Sequence, residues 1–246
     1  MLIINRSKLS VYVNLVASLL LGIIIFNSKP AGATIFSVKQ KGNYDQQGIW
    51  SPYYPGNVIK EADTVIINNI VGHNIDLVVK GTLIIKDDAS FAGRNHIIIA
   101  KSGTMLNLGT CKFISLTNRG VIYNQNIVEV SMDFVNSGNV VNHNKIDVNN
   151  LLDNTGTIVG TEGTVSANRK FVNSRTGILK GYLDVCSNNF MNVEGGSIET
   201  ATITFCGNPI MNENSLLSKQ GESDPLHFEK SVSVESILRN IEPPTF

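Results

Sequence analysis

Leu116-Thr117-Asn118, Phe134-Val135-Asn136, Leu152-Asp153-Asn154, Phe171-Val172-Asn173 and Phe190-Met191-Asn192 repeat one short phrase through the middle of the chain. Their asparagines lie 18, 18, 19 and 19 residues apart. Each is followed by a glycine (Gly120, Gly138, Gly156, Gly177, Gly196) and two residues later by an aliphatic: Ile122, Val140, Ile158, Leu179, Ile198. A second apolar pair closes every unit, as Val128/Val130, Ile146/Val148, Val165/Ala167, Leu183/Val185 and Ile203/Phe205. Its period of two marks a half-buried strand. A unit this short cannot hold a helical hairpin and matches one coil of a β-solenoid. Stacking coils about 4.8 Å apart places Leu116, Phe134, Leu152, Phe171 and Phe190 in one interior column. The asparagines have two uses: tolerance of a left-handed turn and hydrogen bonding of stacked carboxamides. Each column reads as core or turn, and no single asparagine of the ladder is a candidate site residue.

The chain of 246 residues fits one elongated domain, because each coil contacts only its neighbours. Charged residues make up 16% and apolar residues 42%, enough to fill a core and too apolar for global disorder. Formal charge is zero, with 20 basic and 20 acidic residues; three basic ones, Arg6, Lys8 and Lys29, precede Thr34, so the remainder is weakly acidic. That balance, without a basic stripe, argues against a nucleic-acid partner.

Residues 1–33 read as a secretory signal: Arg6 and Lys8, an apolar run from Val11 to Phe26, then Ala31-Gly32-Ala33. Cleavage after Ala33 leaves no membrane span; the alternative is an uncleaved anchor, for which the run is short. Residues 34–63 hold the only Trp and no period, and read as the cap that a terminal coil needs. Trp50, Tyr53 and Tyr54 suit packing in that cap or, as the second option, a platform for a sugar ring. From Thr64 short β-rich runs separated by glycine give the first coils, with Ile98 and Met105 flanking Gly103 as a looser version of the phrase. The coil is expected over 64–212. In the tail, 213–246, a polar exit loop precedes Val234, Ile237, Leu238 and Ile241, spaced as a short amphipathic helix that ends at Pro243-Pro244.

The segment GNYDQQGIW at 42–50, followed by EADTVIINNIVGHNIDLVVKGTLII and coils of the FVNSGNV type, resembles bacterial secreted and surface parallel β-helix proteins of the autotransporter and filamentous-haemagglutinin kind, and their pectin-lyase-like relatives. The likeness covers about residues 42–210. It implies an all-β, single-stranded, right-handed parallel β-helix, here of about seven to eight rungs, in an extracellular setting. No position matches a catalytic residue of those relatives.

Three cysteines leave at least one unpaired. Cys186 and Cys206 follow equivalent strand pairs 20 residues apart, so they fall on neighbouring rungs, within the separation a disulfide tolerates. They form either that disulfide or a stacked pair of buried thiols; Cys111 is then a buried small hydrophobe. No Cys/His spacing suits zinc, and no cofactor is indicated. The most suggestive outward column is Glu129, Asp147, Ser166, Asp184 and Thr204. Carboxylates on successive rungs could share Ca²⁺ or bond sugar hydroxyls, or simply keep a sheet face soluble, the commoner case. Trp50 and Tyr53 with Glu129, Asp147 and Asp184 are the candidate ligand contacts. Nothing selects Asp133, Arg169, Arg175 or Lys180 as catalytic partners, and the four histidines are scattered.

The reading is an exported, non-catalytic module that offers a regular face to a carbohydrate or a surface protein. The alternative is a polysaccharide lyase or glycoside hydrolase, which needs clustered acid and base groups in a groove. A flat ice- or crystal-binding face, suggested by Thr200, Thr202 and Thr204, comes last because the pattern is not repeated.

Overall fold

The computed structural model describes residues 32–193, 195–206, 209–211, 216–219 and 227–228. It is a parallel β-solenoid of about seven turns. Three strand faces recur in each turn. The first face stacks Thr64–Ile67, Thr82–Ile85, Thr104–Asn107, Val121–Asn124 and Asn139–Asn142, and continues in the first halves of Thr157–Ala167, Ile178–Ser187 and Ser197–Phe205. The second stacks Ile70–His73, Ser90–Gly93, Thr110–Phe113, Ile127–Val130 and Lys145–Val148, and continues in the later halves of the same three long strands. The third is a separate nine-stranded parallel sheet from Val58–Ile59 to Pro209–Met211.

Strict alternation explains the burial. Met105, Ile122, Val140, Ile158 and Leu179 stack inside the first face, and Leu116, Phe134, Leu152, Phe171 and Phe190 inside the third, all at most 2% exposed. Earlier in the third-face column stands Ile97, with Ile99 in the Asn position; Ile98 points outward, so the expected use of Ile98 is corrected by one residue.

The asparagines do not act as left-handed turn residues. Among the described residues positive φ at a non-glycine occurs at Asp88, Glu162 and Arg175. Asn118, Asn136, Asn154, Asn173 and Asn192 instead end third-face strands, fully buried, with carboxamides joined into one ladder. Asn118 Nδ2 donates to Asn136 Oδ1 at 2.8 Å, and the bonds from Asn136 to Asn154, Asn154 to Asn173 and Asn173 to Asn192 are each 2.7 Å. A second ladder, which the repeat does not announce, ends first-face strands: Asn107 donates to Asn124, and Asn124 to Asn142, both at 2.8 Å. All these donations point toward the C-terminal turn. The open acceptor at the head of the second ladder, Asn107 Oδ1, receives the Cys111 thiol at 3.2 Å. Burial pushes that thiol's pKa well up, so it stays protonated and able to donate. Cys111→Val is expected to cost about 1 kcal/mol, since it leaves a buried acceptor without a donor; urea denaturation measures it.

The cap expected over 34–63 pairs with all three faces. Ile35–Val38 lies parallel to Thr64–Ile67 and antiparallel to Trp50–Ser51, Gly42–Asn43 pairs with Val71 and Gly72, and Val58–Ile59 with Val78 and Val79. This closes a sheet edge that would otherwise be open. At the other end the coil runs past 212: Leu216–Lys219 pairs with Ser197–Thr200, and His227–Phe228 with Thr204–Phe205. The polar exit loop expected at 212–225 is therefore a strand over part of its length, Leu216–Lys219. The signal segment through residue 31 and the helix expected at 231–241 lie outside the described residues.

Candidate functional site

The outward column of the second face runs Lys112, Glu129, Asp147, Ser166, Cys186 by strand register. Asp184 is not in it. Asp184 pairs with Thr164 and Thr204, and Thr164 with Lys145, so Asp184 and Thr204 belong to the neighbouring column. The cause is the corner before the strand: Glu162 takes φ 91° and the register shifts between Thr161 and Gly163.

Within the true column, Lys112–Glu129, Asp147–Ser166 and Cys186–Cys206 join consecutive turns, and Lys145 adds a contact to Asp147 from the same strand. Lys112 Nζ meets Glu129 Oε2 at 2.7 Å. Ser166 Oγ donates to Asp147 Oδ1 at 2.7 Å, and Lys145 Nζ meets Asp147 Oδ2 at 2.9 Å. Cys186 and Cys206 are joined by a disulfide, Cα–Cα 4.5 Å. Partial burial opposes ionisation of Asp147, but the Lys145 ammonium and the Ser166 hydroxyl overcome it and hold the carboxyl below its usual range. The same pairing holds Lys145 above its usual value. Both carboxylates of the column are thus occupied by neighbours, which makes the column a seam between turns.

Trp50 is 2% exposed and its indole N–H donates to the Tyr44 carbonyl at 2.8 Å. The ring packs edge-on against Tyr44 inside the cap, so it offers no face to a sugar, and the expected platform is corrected to core. Tyr53, 60% exposed, keeps an open ring that rests edge-on against Phe36.

Two histidines acquire roles that the sequence did not suggest. His143 Nδ1 lies 2.6 Å from Thr161 Oγ1, and burial lowers its pKa; in the tautomer with the proton on Nδ1 the neutral ring donates to that hydroxyl oxygen, which leaves the hydroxyl proton for a carbonyl. Thr161 donates it to the Asn142 carbonyl at 3.3 Å, which ties this pair to the end of the second ladder. His73 is fully buried against Phe91, ring centroids 4.5 Å apart. Neither of its ring nitrogens reaches a partner in hydrogen-bonding geometry, although the backbone of Ile75 and Lys112 partly offsets the effect of burial. Burial lowers the His73 pKa in the fold. A depressed folded-state pKa means that the unfolded chain binds the proton more readily. Stability is therefore complete above the unfolded value near 6.5 and falls as pH drops below it, by at most about 1.4 kcal/mol per pH unit. His73→Phe should reduce the dependence between pH ~7.5 and ~5 to the part that the similarly lowered His143 contributes, as denaturant midpoints at several pH values would report.

Among the described residues no group of three His, Cys, Asp or Glu is placed to hold a metal, and no helix is long and apolar enough to cross a membrane. Fold and column together define a parallel β-solenoid with a cross-tied outer face. No protein-family model, curated protein or solved structure matches the chain.

Proposed function

We propose that this protein is an exported, non-catalytic β-helix of the surface-module kind, of the autotransporter and filamentous-haemagglutinin type, which presents its regular faces to a carbohydrate or a surface protein. One observation carries the reading. The carboxylates best placed for chemistry, Glu129 and Asp147, are spent on contacts between turns, beside a disulfide that continues the same seam. General acid–base catalysis needs a group free to exchange its proton with substrate, whereas a rigid module needs turns that do not slide. The apolar run before Ala31-Gly32-Ala33 supports export, and the disulfide suits an oxidising compartment. The test is saturable binding of the labelled mature chain to cell surfaces and to a glycan array. Saturation is expected, and signal at background on both would overturn the reading. Release of reducing sugar or unsaturated product from polysaccharides should stay flat.

A further inference from the structure

The corner between the second and third faces carries a third row of asparagines, Asn149, Asn168 and Asn188, and these three are exposed. Asn168 Nδ2 donates to Asn149 Oδ1 at 3.1 Å, and Asn188 Nδ2 donates to the Asn168 backbone carbonyl at 2.6 Å. A carboxamide has two donors and about two acceptor positions, so these contacts use only part of the capacity of each. The row is held in step by the backbone: Asn149 N donates to Val130 O, and Asn168 N to Val148 O.

An acid and a base, Asp133 and Arg169, flank the row, and each bonds Asn150. Asn150 Nδ2 donates to Asp133 Oδ1 at 2.6 Å, while Arg169 Nη1 donates to Asn150 Oδ1 at 3.4 Å. Beside the row, on the Asn150 turn's preceding neighbour, Met132 stands 49% exposed, an apolar contact on an otherwise polar corner. The corner therefore offers uncharged donors and acceptors at a repeat of about 4.8 Å along the axis, with an apolar surface at one end.

The geometry points to this corner as the binding site for an extended, uncharged polysaccharide lying parallel to the solenoid axis; this rests on the surface-module reading above. An extended glycan advances by about one rung height per sugar, so successive residues meet successive carboxamides with the same geometry. Paired donor and acceptor groups match vicinal hydroxyls, and Met132 covers the C–H face of a sugar ring. A rigid ladder also lowers the ordering cost of binding, because the partners are fixed beforehand.

The test titrates cellohexaose and mannohexaose into the full mature chain, follows the asparagine side-chain N–H signals by NMR, and uses polygalacturonate as the charged contrast. At least one neutral hexasaccharide is expected to shift the Asn149, Asn168 and Asn188 signals, and to bind more tightly than its disaccharide because it spans more rungs. Asn168→Ala is expected to weaken binding about tenfold, the loss of about 1.4 kcal/mol expected of a hydrogen-bonding partner. Lys112→Ala, on the second face, should leave binding unchanged. Equal affinity of Asn168→Ala and the native chain, or preference for polygalacturonate, overturns the inference and leaves the module reading standing. So does an absence of hexasaccharide binding while cell-surface binding persists. Loss of both bindings overturns the two together.

Discussion

Asn154→Asp is expected to destabilise the protein by about 3–5 kcal/mol at neutral pH, which lowers the melting temperature by roughly 10 °C for a chain of this size. Asn154 is fully buried in the middle of the longer ladder. Its oxygen accepts from Asn136 Nδ2, and its own Nδ2 donates to Asn173 Oδ1 and to the Gly156 carbonyl, at 2.7 and 3.2 Å. A carboxylate keeps the first bond and loses the other two. It places two acceptors face to face where water cannot enter. Protonation restores a donor, so the carboxyl pKa rises in the fold. A folded-state pKa raised above the unfolded one means that the penalty is least below about pH 4 and grows as pH climbs through the folded value. Denaturation of Asn154→Asp and the native chain at acid and neutral pH would therefore show the gap narrowing on acidification. A gap independent of pH would mean that the carboxamide does not donate along the ladder.

Gly138→Ala is expected to be comparably severe, about 3 kcal/mol or more. Gly138 stands at the corner where the third face turns into the first, stacked between Gly120 and Gly156. A Cβ there would meet the Gly120 carbonyl oxygen well inside the 3.0 Å that real Cβ atoms keep, with further backbone atoms of Arg119 and Gly120 behind it. Backbone cannot give way without breaking the hydrogen bond from Asn139 N to Gly120 O at 2.8 Å, which holds the two turns together. Gly48→Ala in the cap meets nothing within 4 Å and should change stability by less than about 1 kcal/mol. Thermal melts of the two variants side by side separate lack of room from the general effect of replacing glycine.

These two positions show what the sequence made legible. The glycines and asparagines were visible as a period, and the period correctly stacked Phe134 on Leu152 and Phe171 on Phe190. Their reasons were not visible. Gly138 is needed for space rather than for a left-handed backbone, and Asn154 for its buried carboxamide rather than for a turn; both facts depend on what the adjacent coil places opposite. The second ladder is not legible in the repeat because it spans only Asn107, Asn124 and Asn142, with Ile85 before it and Gly160 after. The misplacement of Asp184 has a similar origin. A slip of two residues preserves the alternation of inward and outward side chains, so Leu183/Val185 fits Val165/Ala167 in either of two registers. Only the irregular corner at Thr161–Gly163 selects Val165 opposite Val185. Cys186 and Cys206 were legible because the pairs just before them, Leu183/Ile203 and Val185/Phe205, are in register, the shift between Gly181 and Tyr182 falling ahead of both.

The scaffold assignment stands or falls on whether the second-face carboxylates serve the fold or a ligand. The direct measurement is cell-surface binding by the Glu129→Ala, Asp147→Ala double variant beside the native chain. Equal saturable binding is expected, because the two carboxylates are engaged by Lys112, Lys145 and Ser166. Loss of binding by a variant that melts at the native temperature would make the column a ligand site and contradict its assignment as a seam.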